Sequence, residues 1–470
     1  MERLMKYLCK AALTFVGAVI IGCSSADDIL PDSPQTVTLT TTISRGGASH
    51  AGTRALTPEG VKTFAVGEQI AVIYTNTASE RVKAVSEPLK AGDITNEGKT
   101  ATITVTLTNP VAGSVDYIYP AVMANDDGTA NYSSLCVQDG TIGTLSSKFD
   151  YAKGTGDMTS SGDVFTLPEG VSLVNQLTVC EFKIKNPSRE EITTGITSLT
   201  ISDGTNTYTI SPTGSPIYVA MQPVTSDKTI SFIAHDGSHS YYKSVTGKAL
   251  QAGEMTPVGV TMMEGQVIDL SKINANCTAQ NGDMLTGKLG GNYQVLIADG
   301  ATVVLNGVSI NYESSPVLSG AFAGITCLGN ATLIISGTDY IKGMMSGYPG
   351  IFVPSGSTLT ITGSGTLYAL GHDNGAGIGS GRSNIDAVKN CGNIVIQGGE
   401  IWGTGGTGAA GIGSGAGAQD KPSSCGYITI KRTVTSVSAL KGSGAESIGS
   451  GQLSTCGTVT IEDPSKVTKN

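Results

Sequence analysis

Over residues 264–470 the apolar positions alternate in pairs that return about every thirty residues. The pairs are Val303/Leu305, Leu333/Ile335, Leu359/Ile361, Ile394/Ile396, Ile428/Ile430 and Val459/Ile461. Their first members lie 30, 26, 35, 34 and 31 residues apart. Alternate residues of a strand share one face, so each pair predicts a short strand with both members turned inward. Between the pairs lie a second short apolar run (Tyr340-Ile341, Leu367-Tyr368, Ile401-Trp402) and a Gly-Ile element (Gly324-Ile325, Gly350-Ile351, Gly377-Ile378). Three short strands per repeat predict a parallel β-helix. One coil cannot bury its inward face, whereas a stack of coils can.

The repeat carries its own punctuation. Ala376-Gly377-Ile378-Gly379-Ser380-Gly381 returns as residues 410–415 and, altered, as Glu446-Ser447-Ile448-Gly449-Ser450-Gly451. Each copy leads to a Cys-Gly pair, at Cys391, Cys425 and Cys456. Such cysteines are expected to stack one per coil as a buried ladder of small residues; disulfides along it are an alternative in an oxidising compartment. No His or CxxC pairing accompanies them, so no metal site is expected. Glycine makes up 63 of 470 residues, about 13%, against a usual ~7%. There is no collagen period, and β-branched runs rather than a helix follow the Gly-rich motif, which argues against a phosphate-binding loop.

Residues 35–263 read as short strands. Candidates are Thr36–Ile43, Gln69–Thr75, Thr100–Leu107, Ser114–Tyr119, Thr178–Lys185, Ser198–Ile201, Thr207–Ile210, Ile217–Gln222, Thr229–Ala234 and Gly259–Met262. They are rich in β-branched and aromatic residues. Turn signals such as Asn109-Pro110, Asp139-Gly140 and Asp203-Gly204 separate them. No stretch keeps a 3.6-residue apolar period over twelve residues. The expected fold is all-β: one or two sandwiches over residues 35–263, followed by a right-handed parallel β-helix at 264–470.

Composition and charge narrow the partners. The net charge is −9 and the charged fraction 14%, below the usual ~25%. Nucleic acid is a poor partner for such a chain. Residues 1–22 have a basic start (Arg3, Lys6, Lys10) and an apolar core, Ala11–Ile21, too short to span a bilayer. The core ends in Ile20-Ile21-Gly22-Cys23, which resembles a bacterial lipobox. That resemblance implies cleavage before Cys23, lipidation of its thiol and attachment to the outer membrane through the lipid. Ser24 avoids the Asp-type inner-membrane retention signal, the acids Asp27 and Asp28 resemble a surface-export signal of lipoproteins, and residues 23–34 read as a tether.

Further motifs carry a family resemblance. Thr53-Arg54-Ala55, Phe64-Ala65-Val66-Gly67-Glu68-Gln69-Ile70-Ala71-Val72 and Tyr117-Ile118-Tyr119-Pro120 come first, then Gln138–Gly140 and Phe149-Asp150-Tyr151-Ala152. Val174-Asn175-Gln176-Leu177 and residues 217–223 complete the order. Together they resemble the fimbrillin family of surface lipoproteins, over about residues 35–263. The resemblance implies two tandem sandwiches, at 35–165 and 166–263, each with a transthyretin-like topology. It also implies cleavage after an Arg near the first strand and assembly with other fimbrial subunits by donor-strand exchange. Arg45 and Arg54 are the two candidates for that cut, in a Gly/Ser-rich segment expected to be accessible. A repeating stalk subunit would not continue into a β-helix. A tip or accessory adhesin, or a standalone surface protein, fits better.

Catalytic chemistry is sparse. His235-x-x-x-His239 has no Glu after its first His, and Ser380 lies in Gly-Ser-Gly without the strand-to-helix turn of a nucleophile elbow. The carboxylates of the repeat are scattered through loops rather than paired on one face, so a polysaccharide lyase or hydrolase ranks third. No cofactor is expected. Binding ranks higher. The nine-residue loops 382–390 and 416–424 should project side by side, and Trp402, the single tryptophan, could meet a sugar ring. Trp402, Tyr368, Tyr427, Arg382 and Lys389 are the ligand-binding candidates. Tyr340 and Tyr348 are further aromatic residues of the same region, and the ligand is a glycan or a surface protein. The repeat resembles β-helical carbohydrate-binding modules over residues 267–470.

Overall fold

The computed structural model describes residues 35–45, 63–312 and 320–470. Cys23, Arg54 and the tether lie outside the described residues. The described residues are almost entirely β. One seven-residue helix, Ile142–Lys148, opens with the Thr141 hydroxyl accepting from Thr144 N. It is too short to leave a helical period in the sequence. No described helix is long and apolar enough to cross a membrane.

The N-terminal half builds mostly antiparallel sheets. Thr36–Arg45 runs antiparallel to Thr100–Thr108, from Thr36↔Thr108 to Ser44↔Thr100. On its other side Ile43–Arg45 pairs in parallel with Val171–Leu173. The same sheet continues through Ala152–Ser161, Gly113–Tyr119, Ala71–Thr75 and Arg81–Val85. Its strands alternate buried and exposed side chains, as in Thr100–Thr108, where Ala101, Ile103, Val105 and Leu107 turn inward. Strand Val171–Asn175 lies beyond the 165/166 boundary expected from the sequence, yet it pairs within this first sheet.

A second set of strands packs around Phe182, Tyr208, Phe232 and Met221. Thr178–Lys185 is central in a three-stranded sheet, antiparallel to Ile217–Met221 and parallel to Met255–Thr261. Ser198–Ser202, Thr207–Ile210, Thr229–His235 and His239–Thr246 form the facing antiparallel sheet. Met263–Asp269 then bridges two regimes. It is antiparallel to His239–Thr246 and parallel to Met284–Lys288. The hydrogen-bonded sheet therefore crosses residue 263 without a break.

Beyond it every ladder is parallel, and each pass of the chain lies on the one before. Val303 pairs with Leu333, Leu359 with Ile394, Ile394 with Ile428, and Ile428 with Val459. One rung differs from the spacing read in the sequence. Leu333 faces Ile361, not Leu359. The two-residue offset preserves the inward direction because strand side chains repeat every two residues. A second ladder holds Thr338–Lys342, Thr366–Leu370, Glu400–Thr404 and Ser436–Leu440. A third holds Ile325–Cys327, Ile351–Phe352, Ile378–Gly379, Ile412–Gly413 and Ile448–Gly449. The inward side chains of all three form one continuous apolar core.

The glycine of the repeat motif has a steric cause at one position. Gly379 and Gly413 both have φ near +142°, and a Cβ on Gly379 would fall 1.8 Å from the carbonyl oxygen of Gly413. No other residue fits between coils that close. The cysteines stack as expected. Cys425 pairs with Cys456, and the Cys425 thiol lies 3.7 Å from Gly392 O. Both are free thiols, as is Cys391. Hydrogen bonding to Cys391 and burial hold the Cys425 thiol well above its usual pKa.

Candidate functional site: an aromatic row on the outer face

In the second ladder alternate residues turn outward, and four rings line up there. Tyr340, Tyr368 and Trp402 occupy the same outward position in successive strands. Each follows an inward residue, Asp339, Leu367 or Ile401. Tyr340 and Tyr368 stack with centroids 4.9 Å apart and planes 8° apart. Tyr368 and Trp402 follow at 5.8 Å and 19°. Tyr312 joins the other end, 4.4 Å from Tyr340 and tilted by 31°. Parallel strands in register repeat every ~4.8 Å, which is close to ring-stacking distance, so identical outward positions stack without adjustment.

Trp402 is 39% exposed. Its indole Nε1 donates to Glu400 Oε1 at 3.1 Å, and the other carboxylate oxygen accepts from Thr366 Oγ1 at 3.2 Å. Both contacts fix the indole and the carboxylate relative to the strand. Burial, then the neighbouring Tyr340 ring and the Glu400 charge, raise the Tyr368 hydroxyl above its usual pKa. It is therefore a neutral donor at physiological pH.

The other candidates do not join this row. Tyr427 is exposed beside strand Ile428–Ile430, and its backbone N–H binds Asn393 Oδ1. Tyr348 packs against the core. Arg382 and Lys389 sit in the loop between strands Ile378–Gly379 and Asn393–Ile396, outside the ladder that carries Trp402. Lys389 is tied to Asp386 at 2.7 Å, and this pairing holds the Asp386 carboxyl below its usual range. The two nine-residue loops do lie side by side, with Ser383 N on Ala416 O and Ser424 N on Lys389 O. Tyr312 escaped the sequence reading because it lies outside the recurring apolar pairs.

Arg45 is not an accessible loop residue, contrary to the expectation from its Gly/Ser-rich surroundings. It closes strand Thr36–Arg45, where its N–H donates to Lys99 O at 2.8 Å. Its side chain is 8% exposed and ion-paired with Asp150. The guanidinium lies 3.6 Å from the Tyr119 ring centroid and 4.9 Å from that of Phe64. The aromatic residues of the Phe64 and Tyr117–Pro120 motifs thus enclose it. Among the described residues, no group of three or more His, Cys, Asp or Glu is arranged to hold a metal ion.

No protein-family model matches the chain, and no curated protein matches it. Solved structures do. A fimbrial assembly protein from Parabacteroides distasonis is 11% identical, with a TM-score of 0.30, covering 49% of this chain and 92% of its own. A proposed cell adhesion protein from Bacteroides fragilis is 13% identical, with a TM-score of 0.27, covering 47% and 92%. A fimbrial protein from Bacteroides ovatus is 11% identical, with a TM-score of 0.23, covering 49% of each chain.

Proposed function

We propose that this chain is an adhesin-type surface lipoprotein whose repeat region binds glycan. In this reading two fimbrillin-like sandwiches, within residues 35–263, carry a right-handed parallel β-helix. Cys23 holds the protein to the outer membrane through lipid. The observation that carries the binding reading is the outward row Tyr340, Tyr368 and Trp402 on rigid, stacked strands. Rings fixed on a scaffold offer contact area at low conformational cost.

Attachment to fimbrial subunits has separate support. Strand Thr36–Arg45 lies between Thr100–Thr108 and Val171–Asn175. Its removal would leave two strand edges facing one groove, the geometry that a donor strand fills. A standalone glycan-capturing lipoprotein is the second reading, favoured if Thr36–Arg45 stays in place. Three measurements decide. Cys23→Ala should release the protein from the membrane fraction; retention with normal lipid labelling would refute the anchor. A glycan array on the intact chain should give hits that Trp402→Ala loses. Sequencing the N-terminus of filament-associated protein separates the assembly readings, since processing predicts a start at Gly46 or Ala55 and the standalone protein a start at Cys23.

A further inference from the structure

Stacking uses up most of the aromatic surface that the row offers. Tyr340 has a ring on each side, and so does Tyr368. The next rung after Trp402 is Ser438, and the rung after that is Thr468. A serine cannot cover an indole, so the face of Trp402 turned toward Ser438 is left open. Two strand spacings, about 9.6 Å, separate the rungs of Trp402 and Thr468. The gap above Ser438 is therefore one ring thick.

We propose that this gap is a monosaccharide slot, taking one neutral hexopyranose with its C–H face against Trp402. The proposal rests on the glycan-binding reading above and narrows it to one position and one ligand class. The surroundings select that class. The Trp402 N–H is already engaged by Glu400, so the indole offers its face rather than a donor. Ser436 pairs with Glu400 on the neighbouring strand, and together with Ser438 and Thr468 it puts hydroxyls around the slot. Leu440 is 49% exposed at the next outward position of the Ser438 strand and adds an apolar edge. An apolar face ringed by hydroxyls and one carboxylate matches a pyranose edge-on. The Glu400 carboxylate repels sugars that carry a carboxylate of their own. A planar aromatic ligand would fill the same thickness but would leave the hydroxyls around the slot without partners.

The test uses the full chain on an array of neutral and acidic glycans, with melting curves on every variant. The wild type should retain neutral hexopyranosides and not uronic or sialic acids. Trp402→Ala should weaken binding at least tenfold. Ser438→Tyr is the decisive variant. It extends the aromatic row by one ring, fills the slot and should abolish binding with an unchanged or raised melting temperature. Glu400→Gln should weaken neutral sugars severalfold and relax the exclusion of acidic ones. If the wild type binds glycan and Ser438→Tyr binds it equally well, the slot is refuted while the glycan-binding reading survives. A preference for acidic sugars would also refute it. If the wild type retains no glycan, both fall together.

Discussion

The hydroxyl of Ser380 accepts a hydrogen bond from the backbone N–H of Gly415, one coil further on, at 2.9 Å. Ser414 does the same for Gly451 at 2.8 Å. Both serines are fully buried. The serine of the repeat motif is thus a tie between coils and not a nucleophile. Ser414→Ala would leave the Gly451 N–H buried without its acceptor, at a cost of about 1–3 kcal/mol. A lowered melting temperature and faster amide exchange at Gly451 are expected. Unchanged exchange would show that the tie contributes nothing.

Ile428 sits between Ile394 and Val459 in the first ladder and is fully buried. Burying such a side chain is worth about 1.5–3 kcal/mol, and an aspartate there adds an unpaired buried charge. Ile428→Asp should unfold the last coils and leave residues 35–263 protected, because stacked coils contact mainly their neighbours. Limited proteolysis followed by mass mapping reads this directly. Loss of protection across the N-terminal half would contradict it.

The repeat region was more legible than the sheets before it. A two-residue side-chain period and a thirty-residue repeat are both local signals, and they located Val303/Leu305 through Ile428/Ile430 inside the core. They did not align the outward aromatic residues, because the aromatic residue leads in Tyr340-Ile341 but follows in Leu367-Tyr368 and Ile401-Trp402; only the ladder register brings Tyr340, Tyr368 and Trp402 to one outward line. The altered third motif also has a physical reading. Where Gly379 and Gly413 meet the next coil's carbonyl, Gly449 meets Glu446 Oε2, which accepts from Ser450 N at 2.7 Å. The glutamate caps the last rung of that ladder. Strand Val171–Asn175 was not legible, because its partner Thr36–Arg45 lies more than a hundred residues away and nothing local encodes that pairing. The enclosure of Arg45 was hidden for the same reason: Phe64, Tyr119 and Asp150 meet it only in the folded chain.

That enclosure predicts what any cleavage after Arg45 would require. A protease needs the Arg45 side chain in its own pocket, so Asp150, Tyr119 and Phe64 have to release it first. Cleavage then tracks the population of the opened strand end. Asp150→Asn removes the charge partner. Each 1.4 kcal/mol lost raises the open population tenfold. Trypsin cleavage after Arg45 should be slow in the folded wild type and about tenfold faster in Asp150→Asn. Equal rates would show that the ion pair does not guard the strand.

Asp339 gives the repeat region a pH dependence. It occupies an inward position of the second ladder, paired with Leu367, where the later rungs carry Ile401 and Val437. Its side chain is fully buried, and Oδ1 accepts from Val308 N at 2.8 Å. Burial pushes its pKa up to about 7, and the backbone N–H groups of Val308 and Gly307 only partly offset that rise. The folded state therefore binds this proton more tightly than the unfolded chain, whose carboxyl titrates near its ordinary value of 3.8. The stabilisation is fully present below about pH 4, is lost as pH rises toward 7, and changes no further above that. The steepest loss is about 1.4 kcal/mol per pH unit. Asp339→Asn keeps an acceptor for Val308 N and carries no titrating proton. Denaturant melts of the repeat region between pH 4 and pH 8 should show the wild type weakening across that window, with the variant flatter by the Asp339 contribution. Equal slopes in the two proteins would place the titration elsewhere.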